Sequence, residues 1–315
     1  MSPLNPKKIL LIKHGSLGDI VFALEPILSI HKKFNNSVIH LVTEEKFIPF
    51  FKKIKMFDHF LIDNRVSFLS SFSLICKIIN GKYDLIIDLQ NSKRTNFYHF
   101  ITKIFSRSRI NGSRSFAHDR YTIPAQGKES PTQGLYNQLK LLYINQSVSD
   151  LSWLISENEN QSIENKDIVL VIPGVSKSGR AKQWSPDKYQ KLCSILESKG
   201  YYICLVGTKH DASSFQPILN GCKNVINLID KSPPEIIYTV ASKSKLIISN
   251  DTGPGHIAAL SKNTILWLAL NNNVTKANLS FRSNSHLILK NKMDELSVEE
   301  VQNYIVSNKL LDKVE

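Results

Sequence analysis

Apolar residues in this chain gather in short continuous runs, separated by stretches with helical spacing. The first run is Lys8–Ile12. A Gly-Ser-Leu-Gly turn follows, and the spacing then predicts a helix over about Ile20–Phe34. Val38–Val42 and Leu85–Leu89 repeat the run. Runs without polar alternation suit strands buried on both faces. Strands alternating with helices argue for a parallel sheet covered on both sides.

The rhythm breaks over about residues 145–166, a stretch ending in Asn, Glu and Ser, and restarts with Ile168–Ile172. Ser185 and Pro186 open a helix as N-cap and first helical residue, and Gly200 closes it. Tyr201–Val206, Lys245–Ser249 and Ile265–Leu270 read as strands. Ser297 caps a last helix with two acids in its first turn. The chain therefore reads as two similar α/β halves, residues 1–160 and 161–315. In open parallel sheets ligands sit outside the carboxyl ends of the strands, so each polar strand end is a candidate site.

Composition narrows this picture. Hydrophobic residues make up 42% of the 315 positions, enough for two packed cores. No run of about 18 apolar residues occurs, so no membrane span is expected. The first run is too short for a signal-peptide core, so export is not expected. The four cysteines are scattered without a C-x-x-C pair, which suits reduced thiols in a cytoplasmic protein and no metal site. The net charge of +13 is uneven: residues 1–155 carry 21 basic and 11 acidic residues, +10, and the remainder +3. Such a half would attract an acidic glycan, anionic lipid or nucleic acid, or it is a solvated lysine surface.

Four strand ends carry candidate chemistry. In "KHGSLGDIV", Gly15 and Gly18 allow close backbone approach, and Asp19 is either a helix cap or a base at the mouth of a cleft. The stretch matches neither G-x-G-x-x-G nor G-x-S-x-G, which disfavours a dinucleotide fingerprint and a serine nucleophile. "VIPGVSKSGRAKQWSP" resembles a P-loop, but Arg180 and Ala181 replace its lysine and hydroxyl residue, which disfavours a kinase or ATPase. Gly174, Ser176, Lys177, Arg180 and Lys182 still make a donor-rich loop for a phosphate or diphosphate, unless it is only a basic loop. "SNDTGPGHIAAL" puts Asp251, Thr252, Gly253 and His256 at a strand-to-helix turn, a second anion site or a plain turn. "VGTKHD" offers Lys209 and His210 near a nucleotide, with little specificity alone.

Taken in order, "ILLIKHGSLGDIVFALEPI", "YDLIIDLQNS", "IPGVSKSGRAKQWSPDKY" and "NDTGPGHIAAL" resemble the ADP-heptose:lipopolysaccharide heptosyltransferase family over about Ile9 to Leu270. The resemblance implies a GT-B architecture, two Rossmann-like parallel-sheet domains facing across a cleft. The N-terminal domain would take the acceptor and the C-terminal domain the nucleotide sugar. The implied reaction is inverting transfer of a heptose from ADP-heptose to the lipopolysaccharide core, with no obligatory cofactor or metal. Asp19 matches the family's base. Lys182 matches the lysine that contacts the donor phosphates. Ser176, with Gly174, matches the phosphate loop, and Asp251, Thr252, Gly253 and His256 match its D-T-G-x-x-H. Gly18, Gln90, Lys52, Lys53 and Lys55 are the candidate acceptor contacts.

Three departures stand out. Lys209 occupies the place of a ribose-binding glutamate and cannot accept hydroxyl hydrogen bonds. Val175 replaces a polar residue, and Ser185 is inserted before Pro186. Lys209 leaves open a different nucleotide sugar and cell-surface glycan on the same fold. The basic N-terminal half, with Lys93, Arg94, Arg107, Arg109, Arg114 and Arg120 besides the three lysines, would draw an anionic lipid-linked acceptor. It would place the protein in the cytoplasm, peripheral on the inner face of the inner membrane. A nucleic-acid partner is not expected, because no helix-turn-helix or aromatic-basic module is present.

Overall fold

The computed structural model describes residues 4–147, 150–156 and 163–311. It divides into two compact units: one of residues 1–125 and 131–150, the other of residues 126–130 and 151–315. The expected boundary between residues 160 and 161 lies outside the described residues.

The first unit is one six-stranded parallel sheet. Its strands are β1 (Lys8–Ile12), β2 (Val38–Thr43), β3 (His59–Ile62), β4 (Leu85–Asp88), β5 (Arg109–Gly112) and β6 (Asp119–Arg120), in the order β3-β2-β1-β4-β5-β6. The second unit repeats that order with β7 (Ile168–Ile172), β8 (Tyr202–Gly207), β9 (Val225–Ile229), β10 (Leu246–Asn250), β11 (Ile265–Leu270) and β12 (Ser285–Lys290), arranged β12-β11-β10-β7-β8-β9. Each is a doubly wound Rossmann sheet. The strand order reverses between β1 and β4, where Ile12 stands beside Asp88. It reverses again between β7 and β10, where Ile172 stands beside Ser249. The central strands β1, β4, β7 and β10 are buried throughout or nearly so, which is why they read as unbroken apolar runs.

The first unit's helices are α1 (Leu17–Lys33), α2 (Ile48–Lys52), α3 (Phe68–Asn80), α4 (Lys93–Phe105) and α5 (Pro131–Leu139). Helix α1 starts three residues earlier than expected, because Ser16 and not Asp19 is its N-cap. Asp19 is the acid of a reciprocal capping box with Ser16. Pro26 lies inside α1 and offers no N–H to the Phe22 carbonyl one turn back. The buried hydroxyl of Thr132 on α5 donates to that carbonyl at 2.9 Å. The fault in α1 is thus repaired by α5.

In the second unit α6 (Pro186–Ser198) and α7 (Ala212–Gly221) flank β8, and α8 (Pro234–Lys243) precedes β10. Ser185 holds the N-cap position of α6, but its hydroxyl makes no capping bond, so Pro186 alone carries the start signal. Gly200, at φ +92°, follows the end of α6 as its spacing predicts. The turn after β10 leads into α9 (Gly253–Ala259), and α10 (Asn273–Leu279) and α11 (Val298–Ser307) complete the unit. Ser297 caps α11 as expected, accepting from the Glu300 N–H. Among the described residues no helix is long and apolar enough to cross a membrane.

Candidate active site

In the first unit the loops after β1, β2 and β4 meet at the switch point. Lys13 is buried, and its ammonium donates to the Leu89 carbonyl at 3.1 Å, tying the ends of β1 and β4. Burial pulls its pKa down, and the negative charges of Asp19 and Asp88 act against that. Gly15, at φ +119°, makes the turn into α1. A Cβ there would meet the Asp19 carboxylate at 2.7 Å, so only glycine fits. Gly18 has no such backbone demand and lies in the first turn of α1.

Asp19 is exposed. Its Oδ2 accepts from the Ser16 N–H and from the Ser16 hydroxyl, each at 2.8 Å. The carboxylate is therefore held in one orientation by its own turn. Gln90 is positioned by Asp88, whose Oδ1 takes the N–H groups of Gln90 and Asn91 at 2.9 Å each. The Gln90 side chain in turn accepts from the His14 N–H at 3.3 Å. The "HGSLGD" and "DLQNS" motifs thus form one polar wall. Lys52, Lys53 and Lys55 are exposed at and beyond the end of α2.

Several polar groups in this unit escaped the sequence reading. Glu44, at the end of β2, accepts from the Gly15 N–H at 3.0 Å and pairs with Arg65 and Lys46. Burial would raise its pKa, but bonds from Lys46 and Gly15 and the Arg65 charge hold it below the usual range. Asp63, after β3, accepts from Tyr98 at 2.8 Å and from Arg94 at 3.2 Å. His14 is buried with its Nε2 3.8 Å from Asp63, and burial lowers its pKa against the pull of that acid. The strand-end rule applied to β2 and β3 would have found Glu44 and Asp63.

In the second unit, the loops after β7 and β10 meet in the same way. The Lys182 ammonium lies 2.7 Å from one oxygen of Asp251, and the His256 Nε2 lies 3.2 Å from the other. Burial would raise the Asp251 pKa, but the bonds and charges of His256 and Lys182 outweigh it and hold the carboxyl at about 2. The His256 ring also packs on Trp267, centroids 5.2 Å apart. Gly255 makes this closeness possible, since a Cβ there would meet Ser249 Oγ at 2.4 Å and the Trp267 ring at 2.7 Å. Thr252 is the N-cap residue of α9, and its side chain makes no capping bond.

Asn250, fully buried, was not singled out by its spacing. Its amide donates to the Pro173 carbonyl at 3.0 Å, and its oxygen accepts from the Trp184 N–H at 3.2 Å. One side chain thus fixes the Gly174 loop, the loop bearing Lys182, and the Asp251 turn. Trp184 is held by its indole N–H on the Leu296 carbonyl at 3.0 Å. Gly174 is buried and Ser176 exposed at the start of the 3-10 turn Lys177–Lys182. The Lys209 side chain is exposed, and its backbone N–H donates to Asp230 at 2.8 Å. Asp211, two residues on, was missed: an atom at the Gly174 Cβ position would lie 3.1 Å from its carboxylate. Among the described residues no group of three or more His, Cys, Asp or Glu is placed to hold a metal.

Two Rossmann sheets of identical order, each with a polar loop cluster at its switch point, define a GT-B protein. The chain is similar over 97% of its length, at TM-score 0.79 and 19% identity, to 97% of the glycosyl transferase family 9 structure from Veillonella parvula. It is also similar at TM-score 0.72 and 16% identity to the Escherichia coli heptosyltransferase WaaC with ADP, covering 96% of this chain and 98% of that one. Residues 71–268 match the model of glycosyltransferase family 9 (heptosyltransferase), and the chain belongs to this family and is a glycosyltransferase. Lipooligosaccharide heptosyltransferase 2 of Haemophilus ducreyi is 26% identical over 282 residues, 80% of this chain and 79% of the relative.

Proposed function

We propose that the protein moves a heptose from ADP-heptose to a lipopolysaccharide core acceptor, inverting the anomeric centre. The observation that carries this reading is the Lys182–Asp251–His256 cluster at the switch point of the second sheet, where a nucleotide diphosphate belongs. The leaving diphosphate gains negative charge as the glycosidic bond breaks. Lys182, Ser176, Thr252 and the first N–H groups of α9 are the groups that offset it.

Asp19 is the base. Its Oδ2 is committed to Ser16, so Oδ1 is the oxygen assigned to the acceptor hydroxyl's proton. Asp19 works by position, taking the proton as the new bond forms. Gly18 and Gln90 line the same wall. The basic charge of this half favours an acceptor bearing phosphates and acidic sugars, and a peripheral place on the inner face of the inner membrane.

Lys209 favours a second reading, in which the donor is another nucleotide sugar. One experiment separates the two. The protein is melted with ADP, UDP, GDP and CDP, then incubated with ADP-heptose and a heptose-free core acceptor, and the product is weighed. Stabilisation by ADP and a mass gain of one heptose support the first reading. Stabilisation by another diphosphate with no heptose transfer overturns it.

A further inference from the structure

Helices α3 and α4 pack side by side on one face of the first sheet. Leu74, Ile75 and Ile78 of α3 and Tyr98 of α4 share one buried core. Their outward faces should therefore be polar. They carry exposed polar residues, Ser70, Ser73, Lys77, Asn80, Lys93 and Lys103, but large apolar side chains stand among them. On α3, Leu69 and Phe72 are 79% and 58% exposed. On α4, Phe97, Phe100 and Ile104 are 41%, 40% and 57% exposed, and Phe105 follows at 66%. The spacing of each set, three or four residues, puts it on one stripe of its helix. Val66, just before α3, is 81% exposed. Seven of the fourteen large apolar side chains exposed among the described residues thus lie between Val66 and Phe105. A cavity of about 480 Å³ lined by Arg65, Val66, Ser67, Ser71, Arg94, Phe97 and Tyr98 lies between the starts of the two helices, with one exposed apolar residue from each side, Val66 and Phe97, at its rim. Exposed apolar side chains gathered in this way mark an interaction surface.

Charge identifies the occupant. Neither helix contains an acidic residue, and Lys77, Lys93, Lys103 and Arg107 are exposed on or just past them. A second copy of the chain would set two acid-free basic faces against each other. An anionic bilayer offers the opposite charge at its headgroups and an apolar layer beneath for Leu69, Phe72, Phe100 and Ile104. We infer that the outer face of α3 and α4 docks on anionic lipid with these side chains inserted, and that Lys52, Lys53 and Lys55 are not the main contact. This rests on the peripheral-membrane reading above and names its surface.

The test uses the full chain with vesicles of phosphatidylcholine, alone or mixed equally with phosphatidylglycerol. Wild type co-sediments with the anionic vesicles only. Leu69→Ser combined with Phe72→Ser lowers binding about tenfold or more, as does Phe100→Ser with Ile104→Ser, since both remove inserted apolar area. Neither pair changes melting stabilisation by the nucleotide diphosphate. Phe72→Trp and Ile104→Trp each report contact directly, by a blue shift and by quenching from brominated acyl chains. If the protein co-sediments but neither tryptophan shifts or quenches, this surface is overturned while the membrane reading stands. If wild type binds no vesicle, the membrane reading fails, and the surface with it. If sedimentation velocity without lipid shows a dimer that the serine pairs dissociate, the occupant is a second copy and the inference is overturned.

Discussion

The Lys182 ammonium lies 2.7 Å from the Asp251 carboxylate, so the cation assigned to the donor is already held by an acid of its own unit. Lys182 is 40% exposed while Asp251 is 9% exposed. The acid is the anchor and the lysine the movable partner. Lys182→Ala should weaken nucleotide diphosphate binding by about 10- to 150-fold, the range of a charge-assisted hydrogen bond. Asp251→Asn keeps Lys182 but loosens it, and should weaken binding less. Calorimetry with the diphosphate checks both. Unchanged affinity in Lys182→Ala would remove the lysine from the donor site.

Asp251 also sets an acid limit on stability. Its folded pKa, about 2, lies below its ordinary 3.8, so it contributes stability that is complete above about pH 4 and lost as pH falls towards 2. The gap corresponds to about 2 kcal/mol. Asp251→Asn should be less stable than wild type by roughly that amount at neutral pH. The two should converge near pH 2. Urea melts across this window measure the difference.

Asp19 carries two roles that a single substitution would confuse. Asp19→Ala removes the capping box as well as the base, costing about 1 kcal/mol of stability. Asp19→Asn keeps an acceptor for Ser16 but cannot take a proton. Asp19→Asn should melt near wild type, bind the donor normally and transfer slower by about 10² or more. Transfer within a few-fold of wild type would leave Asp19 as a helix-start residue only.

Thr132→Val should destabilise the first unit by about 1–3 kcal/mol, because the Phe22 carbonyl loses its donor across the Pro26 gap. Pro26→Ala supplies the missing N–H, so Thr132→Val in that background should cost much less. Equal costs in both backgrounds, read from denaturant melts, would show that the hydroxyl matters for another reason.

The central strands were legible because they are buried on both faces, and such strands write themselves as apolar runs, whereas β3, β5, β6, β9 and β12, shorter or with polar and partly exposed positions, were not. The switch points followed from the order of motifs, which set "HGSLGD", "IPGVSKSGRAKQW" and "NDTGPGH" at strand ends. The Ser16–Asp19 capping box was also there to read, as Ser-x-x-Asp before an apolar run, but the glycines beside it drew the helix start to Ile20. Glu44 and Asp63 stand at strand ends and were open to the strand-end rule, but their bonding partners, 29 and 35 residues away, were not, nor was the Asn250 partner 77 residues away, because no local spacing encodes such bonds.

The chain passes between the two compact units three times, after residues 125, 130 and 150. No single stop codon can therefore separate them cleanly. A gene fragment ending at residue 125 would encode the first sheet without α5, leaving the Phe22 carbonyl without Thr132. One starting at residue 151 would omit Gln126–Ser130, which belongs to the second unit. Joining the two units from different relatives would here need a splice that carries residues 126–130 with one parent and residues 131–150 with the other.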